Sequence, residues 1–440
     1  MRTIFPAASI FKKIVGGQKN VIGQGLRLMD YVIQCPVEDG VLLYHTLTCC
    51  LLLLSSDEVA HLAEHQELID NWFLVPEEHD DRRFCQQVRQ LASLFKPYGK
   101  DITHYTILTT TGCNARCYYC YERGTTPVRM TSETAEKVSQ FILKHHGVKE
   151  IKLSWFGGEP LFNARAIDQI CSTLKQHGVP FRSTMISNGY LFDTELISRA
   201  KNRWRLEKVQ ITLDGTEQTY NRVKNYIHGD VNAFGRVLGN IELLTANDIQ
   251  VLVRLNVDKH NIEEMHKLVS LLHQRFGANE HLTVYSHELL GKRTPEENAE
   301  LYELRMGLER QIADSGYRRK RELQKDLKLN NCMADNDQSV VITPTGNLGK
   351  CEHYVDREFF GHIDREERDE SVILKFKERP SDIEACASCP CYPQCFRLLM
   401  CDNGVDCTPE RKKERIYNTI EAMKDEYQKY LTNHAHDTEI

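Results

Sequence analysis

Between residues 103 and 290 short apolar runs alternate with longer stretches whose apolar positions recur at helical spacing. The short runs, rich in β-branched and aromatic residues, predict strands at 105–110, 151–156, 181–186, 208–213, 251–257 and 282–285. The longer ones predict helices at 132–146, 164–177, 194–202, 234–246 and 262–276. Alternating strands and helices imply a parallel sheet with right-handed crossovers. Six such units are too few for a closed eight-fold barrel, so the expected fold class is α/β with a partial (β/α)6 TIM-like barrel. In such folds the working groups gather at the C-terminal ends of the strands.

The flanks read differently. Residues 29–54 predict short strands around Glu38-Asp39-Gly40, a turn signal. Helical runs follow, 56–65 among them with Ser55 or Ser56 as N-cap, and then 68–75, which leads into a wing. Residues 291–328 are highly charged and read as a solvated helical connector. Three blocks are therefore expected: a small (α+β) module at 1–98, the βα block at 99–290, and at 291–440 the connector with a cysteine-rich segment.

Composition narrows the setting. The 440 residues carry 56 Lys+Arg and 62 Asp+Glu, a net charge of −6. That mild acidity gives no electrostatic reason to expect a nucleic-acid or membrane partner. The most apolar stretch, 42–54, has 13 residues, where a span needs about 20. Lys12 and Lys13 stand where a signal-peptide cleavage site would fall, so a cytoplasmic location is expected. Thiols stay reduced there, and 16 Cys point to metal rather than to disulfides. Cys35, Cys49, Cys50, Cys85 and Cys171 are scattered and read as small buried hydrophobes. The other eleven fall into two groups.

The first group lies at a strand end. TGCNARCYYC follows the first strand and spaces Cys113, Cys117 and Cys120 as C-x3-C-x2-C. Later strands end in Gly157-Gly158-Glu159-Pro160, Ser187-Asn188-Gly189 and Asp214-Gly215, and the fifth carries Arg254 and Asn256. Three thiolates suit a [4Fe–4S] cluster with one open iron, or a zinc knuckle completed by a distant His.

The C-x3-C-x2-C loop, with Tyr119 before its last Cys and the 157–160 turn after the second strand, resembles the radical S-adenosylmethionine (SAM) superfamily over about residues 103–290. The resemblance implies that Cys113, Cys117 and Cys120 hold a [4Fe–4S] cluster whose open iron chelates SAM. It implies one-electron cleavage of SAM to methionine and a 5′-deoxyadenosyl radical that takes a hydrogen from the substrate. By the same resemblance Tyr119 contacts the adenine, and Gly158 and Glu159 the methionine amino group. Ser187, Thr212, Asp214 and Asn256 would line the rest of the SAM pocket. Several relatives carry an Arg a little beyond the position of Thr212. Here Lys224 stands there, with Arg222 close by, and Lys supplies charge but not a bidentate fork.

The second group reads Cys332-x13-Gly346-x4-Cys351, a gap, then Cys386-x2-Cys389-x5-Cys395-x5-Cys401-x5-Cys407, with Cys391 inside the first x5 segment. Ligand type alone also fits one or two structural zinc sites. Through Cys395 the pattern resembles the SPASM extension of radical SAM enzymes. Beyond it Cys401 follows at a longer spacing and Cys407 arrives early. Carried over by order, one auxiliary [4Fe–4S] cluster takes Cys386, Cys389, Cys395 and Cys407. The other takes Cys332, Cys351 and Cys401, its fourth iron open to a substrate thiolate or filled by Cys391. Three [4Fe–4S] clusters and SAM are the implied cofactors. Glu352, where sulfatase-maturing relatives place an Asp base, reads either as a proton acceptor or as a hydrogen-bonding neighbour of the ligands.

Block 1–98 resembles in pattern the winged-helix modules that hold a leader peptide as an added strand, or else caps the barrel. Together the resemblances imply a radical SAM/SPASM peptide maturase. The phrases ITLDGTEQTYNRVKNY and GNLGKCEHY look like those of thioether-forming ranthipeptide and sactipeptide enzymes. The expected partners are a ribosomally made precursor peptide with its leader and a one-electron reductant such as flavodoxin or ferredoxin. Alternatives are a carbon–carbon peptide cyclase, an anaerobic sulfatase maturase, and a peptide epimerase with Cys171 or Cys391 as hydrogen donor. Outside enzymes, an iron–sulfur binding and electron-transfer protein remains, although a simple carrier has no use for the 157–160 turn.

Overall fold

The computed structural model describes residues 1–16, 25–95, 101–229, 232–289, 291, 293–354, 356–401 and 407–434. The chain divides into two compact units. One comprises residues 99–319 and 332–378, the other residues 1–98, 320–331 and 379–440.

The first unit is built on a nine-stranded sheet. Its parallel strands are β1 (His104–Thr110), β2 (Ile151–Gly157), β3 (Phe181–Ser187), β4 (Leu206–Leu213), β5 (Gln250–Val257) and β6 (Leu282–Glu288). They stand side by side in chain order. Helices Ser132–His145, Ala164–Gln176, Thr194–Asn202, Ala233–Ala246 and Ile262–Phe276 connect them. All eleven expected elements are present, with ends displaced by three residues or fewer.

Burial explains why the period was readable. In β2, Ile151, Leu153 and Trp155 are buried while Lys152 is exposed. In β3, Phe181, Ser183, Met185 and Ser187 are buried and alternate with Arg182, Thr184 and Ile186. One face is covered; the other keeps partly exposed and polar positions. Helix starts follow capping chemistry. Thr131 Oγ1 accepts from Thr134 N at 3.0 Å, and Asp193 Oδ1 from Leu196 N at 2.8 Å.

The sheet stays open. Beyond β1 it continues into β7 (Ser339–Ile342), parallel to β1, then β8 (Asn347–Gly349) and β9 (Gly361–His362), each antiparallel to the strand before it. The sequence pattern did not signal these three. Charged segment 291–328 also differs from the solvated connector expected. Helix Pro295–Asp314 opens with a Thr294/Glu297 capping box, buries a stripe of Leu301, Arg305, Leu308 and Ile312, and packs on helix Ile262–Phe276.

The second unit holds a four-stranded antiparallel sheet in the order Arg2–Phe5, Cys50–Leu54, Gly40–His45, Val32–Val37. Gly40 makes the tight turn at φ 143°, where a Cβ would lie 1.9 Å from the Leu54 carbonyl oxygen. Both faces of this sheet are covered, which explains the unbroken apolar run at 42–54. Leu43, Leu52 and Leu54 pack with Phe11, Phe73 and Cys85. Leu42, Tyr44, Leu51 and Leu53 pack with Ala422, Met423 and Tyr427 of the long helix Pro409–His434. Helices Ser56–Ala60, Gln66–Asp70 and Asp81–Ser93 and a strand pair, Leu26–Leu28 with Leu74–Pro76, complete the module. Among the described residues no helix is long and apolar enough to cross a membrane.

Candidate active site

The site begins where β1 ends. Thr110 Oγ1 donates to the Val128 carbonyl at 2.8 Å and accepts from Gly112 N at 2.9 Å, turning the chain sharply into the cysteine loop. The turn after β2 clamps the start of that loop. Gly158 N donates to Thr110 O at 3.1 Å and Glu159 N to Gly112 O at 3.0 Å. Only glycines allow this approach. Gly157 sits at φ 118° with its Cβ position 2.0 Å from Thr110 O, and a Cβ on Gly158 would meet Gly112 O at 2.5 Å. The segment after β4 holds the other side: Arg116 N donates to Lys224 O at 2.8 Å and Ile227 N to Asn114 O at 2.9 Å.

Cys113, Cys117 and Cys120 line one cavity of about 530 Å³. Cys113 Sγ accepts from Ala115 N at 3.3 Å. Burial, reinforced by Glu159, pushes the Cys113 thiol up to about 12; a bound metal reverses that by stabilising the thiolate. Glu122 is buried in the same wall, and its Oε1 has no hydrogen-bond partner among the described residues.

Glu159 is fully buried and ties two strand ends together. Its carboxylate accepts from Ser187 Oγ at 3.0 Å, Asn188 N at 2.8 Å and Leu161 N at 3.1 Å. Burial nevertheless pushes the carboxyl up to about 7. Asn188 in turn donates to Asn114 Oδ1 at 2.7 Å and so braces the cysteine loop.

At the end of β4, Asp214 collects three partners. It accepts from Tyr119 OH at 2.8 Å and Asn256 Nδ2 at 3.2 Å, and pairs with Lys224 Nζ at 3.0 Å. Burial opposes the Lys224 charge, but Asp214, followed by Tyr119 and Cys117, outweighs it and holds the ammonium well above its usual range. Burial likewise raises the Tyr119 hydroxyl. Arg222 is exposed, so of the two basic residues Lys224 is the one built into the pocket. Arg254 Nε donates to Asn256 Oδ1 at 2.9 Å, and its Nη2 meets His287 Nδ1 at 2.9 Å. Thr212 is half-buried and pairs in register with Arg254.

The structure thus brings Tyr119, Asp214, Lys224 and Asn256 into direct contact, and Glu159 with Ser187. The segment carrying Cys351 and Glu352 meets the residue that follows the last cysteine of the loop. Tyr121, next to Cys120, stacks on His353 at 4.4 Å, and its hydroxyl is raised first by burial, then by Glu122, Glu352, Cys120 and Cys351. Glu122 and His287 lie outside the expected site set. No local motif marks His287; only its place in β6, beside β5, brings it to Arg254.

In the other unit Cys386, Cys389, Cys395 and Cys407 line a single cavity of about 420 Å³. Cys391 is buried and hydrogen-bonded to Cys389, and that contact brings the Cys389 thiol down to about 6 while raising Cys391. Cys401 does not line the cavity. Cys332 and Cys351 belong to the first unit and Cys401 to the second. Among the described residues no three His, Cys, Asp or Glu side chains converge on one metal-ion position. Four thiols around one cavity suit a [4Fe–4S] cluster, which takes one thiolate at each iron; by ligand type they also suit a tetrahedral zinc.

Residues 107–272 match the Radical SAM superfamily. An AdoMet-dependent heme synthase from Methanosarcina barkeri is 26% identical over 165 residues, 37% of this chain and 44% of that protein. A GTP 3′,8-cyclase from Clostridium perfringens is 25% identical over 182 residues, 40% of this chain and 54% of that protein. The chain spans about half the length of these curated relatives. Two solved structures share the fold more widely. Native anSMEcpe with bound AdoMet and Cp18Cys peptide aligns at TM-score 0.52 and 15% identity, over 76% of this chain and 99% of that one. Streptococcus suis SuiB bound to precursor peptide SuiA aligns at TM-score 0.51 and 11% identity, over 85% and 95%.

Proposed function

We propose that this chain, which carries a radical SAM domain over residues 107–272, is a peptide maturase that joins a Cys sulfur to a carbon as a thioether in a ribosomally synthesised precursor peptide. One observation carries the reading. A second set of four thiols surrounds its own cavity, in a chain that shares its fold over most of its length with two peptide-bound proteins. The heme synthase and cyclase matches are confined to 37–40% of the chain.

On this reading Cys113, Cys117 and Cys120 hold the core cluster, and Cys386, Cys389, Cys395 and Cys407 an auxiliary one. Cys332 and Cys351 are proposed ligands of a third. With SAM bound, the core cluster supplies a 5′-deoxyadenosyl radical able to take a hydrogen atom from the peptide. The chain's own residues do the rest. Lys224 offers its ammonium to the SAM carboxylate, leaving Asp214 and Asn256 to the ribose. Tyr119 is held by Asp214 against the adenine. Gly158 and Glu159 of the 157–160 turn are the proposed contacts of the methionine amino group, and Ser187 and Thr212 further residues of the SAM pocket. Closing a thioether removes two hydrogens from the peptide: one would leave as an atom to the 5′-deoxyadenosyl radical, the other as the thiol proton, with its electron passing to an auxiliary cluster. Glu352, next to Cys351 in the chain, is the proposed acceptor of the proton. Residues 1–98 grip the leader as an added strand, and a flavodoxin or ferredoxin is the proposed reductant.

The test is anaerobic reconstitution with SAM, dithionite and a Cys-containing precursor encoded nearby. A product lighter by two hydrogens, and closed to thiol alkylation, is expected. The same mass loss with a free thiol would point to carbon–carbon cyclisation, and unchanged mass with deuterium uptake to epimerisation. Absence of 5′-deoxyadenosine would overturn the enzyme reading.

A further inference from the structure

The cavity between Cys386, Cys389, Cys395 and Cys407 has a mainly basic wall. Among the described residues Arg89, Lys328, Arg379 and Arg397 line it, against one acidic residue, Asp382. Asp382 is already engaged, by Arg82 at 2.7 Å and by Tyr392 OH at 2.9 Å.

Arg89 reaches this wall from helix Asp81–Ser93, far in sequence from the cysteines. Its guanidinium lies over the Phe396 ring at 4.1 Å. It donates to the Tyr392 carbonyl at 3.3 Å and to the Cys395 carbonyl at 3.5 Å. Arg379 lies over the same Phe396 ring at 4.2 Å, and Lys328 at 5.9 Å. Three cations therefore share one phenyl ring, which attracts each of them while they repel one another. Neutral thiols give no reason to gather them. A four-thiolate cluster does, because it is an anion and gains one further negative charge on reduction.

We propose that Arg89, Arg379 and Lys328 form a cationic collar that raises the reduction potential of the cluster in this cavity. The inference rests on the reading that a [4Fe–4S] cluster occupies it. Positive charge close by stabilises the reduced form more than the oxidised one. Arg89 acts here as a positioning and tuning residue, not as a ligand.

The test is an EPR-monitored redox titration of the full chain in a C113A/C117A/C120A background, with Cys386→Ala identifying the signal of this site. With iron and sulfide per chain unchanged, Arg89→Ala and Arg379→Ala should each cut the ratio of reduced to oxidised cluster at a fixed poise by roughly tenfold. Arg89→Lys, which keeps the charge, should restore most of it. An unmoved potential in both alanine variants would overturn the collar, as would an Arg89→Lys shift as large as that of Arg89→Ala. Should Arg89→Ala shed iron, Arg379→Ala and Arg379→Lys decide by the same criteria. If Cys386→Ala keeps its full iron and removes no signal, the cluster assignment itself fails, independently of the collar.

Discussion

Lys224 Nζ sits 3.0 Å from Asp214 Oδ2, and each side chain is 4% exposed. A pair buried this deeply is costly to break from one side, because the survivor is left as an uncompensated charge. Lys224→Met should therefore destabilise the first unit by about 3–5 kcal/mol and abolish SAM binding. Adding Asp214→Asn should recover much of the stability without recovering SAM binding. Denaturant melts and SAM titrations of the single and double variants check this. Recovery of both together would leave the pair a structural role only.

The clamp on the cysteine loop makes a sharper prediction. A Cβ at Gly157 or Gly158 collides with the backbone at Thr110 or Gly112, and backbone cannot give way as a side chain does. Gly157→Ala and Gly158→Ala should each lower SAM cleavage at least a hundredfold. Iron bound in the other unit should be unaffected, as counted after reconstitution in a C113A/C117A/C120A comparison. Normal cleavage in either variant would remove the clamp from the account.

Much of this could be read from residues alone, and the reason is local. Most of the parallel strands and the connecting helices bury one face, so their period survives in the sequence; β1, buried from Tyr105 to Thr110, shows instead as a short run of β-branched and aromatic residues. The 157–160 turn and the C-x3-C-x2-C loop advertise themselves by composition. What stayed hidden depends on distant partners. β7 is a four-residue strand, Ser339–Ile342, with three apolar residues, whose place beside β1 no local signal encodes. Helix Pro409–His434 buries only Ala422, Met423, Glu426 and Tyr427, a stripe too sparse to stand out in a charged segment. His287 and Glu122 gain their settings from neighbouring strands and loops, not from any motif of their own.

His45 gives the second unit a pH dependence. It is fully buried, with Nε2 at 3.0 Å from the Trp72 carbonyl. Its Nδ1 accepts from Leu47 N at 3.2 Å, so Nε2 carries the proton and the neutral ring satisfies both contacts. Burial is the largest influence and lowers its pKa from 6.5 to about 4. A group depressed on folding adds stability that is complete above its unfolded pKa and is lost as pH falls through the folded one. Stability should thus decline between about pH 6.5 and 4, by about 3 kcal/mol in all. Urea midpoints across that range should show the decline in the wild type and a flatter profile in His45→Gln. Equal slopes would assign the acid sensitivity elsewhere.

The N-terminal module and the C-terminal cysteine segment are cross-braced within one unit. Thr46 Oγ1 donates to the Pro390 carbonyl at 2.6 Å, and Gln394 Nε2 donates to Tyr44 OH at 2.8 Å and to the Thr46 carbonyl at 2.9 Å. Gln86 Nε2 reaches Tyr392 OH at 3.2 Å. Tyr31 stacks on Tyr392 with ring centres 6.2 Å apart. These contacts hold the loop that carries Cys389, Cys391 and Cys395, and without them its backbone carbonyls and the Tyr392 ring lose their partners. Deleting residues 1–98 should therefore cost more than a leader-peptide grip. The truncated chain should lose about four irons, one cluster's worth, while SAM cleavage in the first unit persists. A detachable leader-binding domain predicts the opposite pattern, full iron with weakened peptide binding. Iron and sulfide counts beside a SAM-cleavage assay separate the two directly. Full iron in the truncated chain would show that the cysteine segment keeps its shape without the N-terminal sheet.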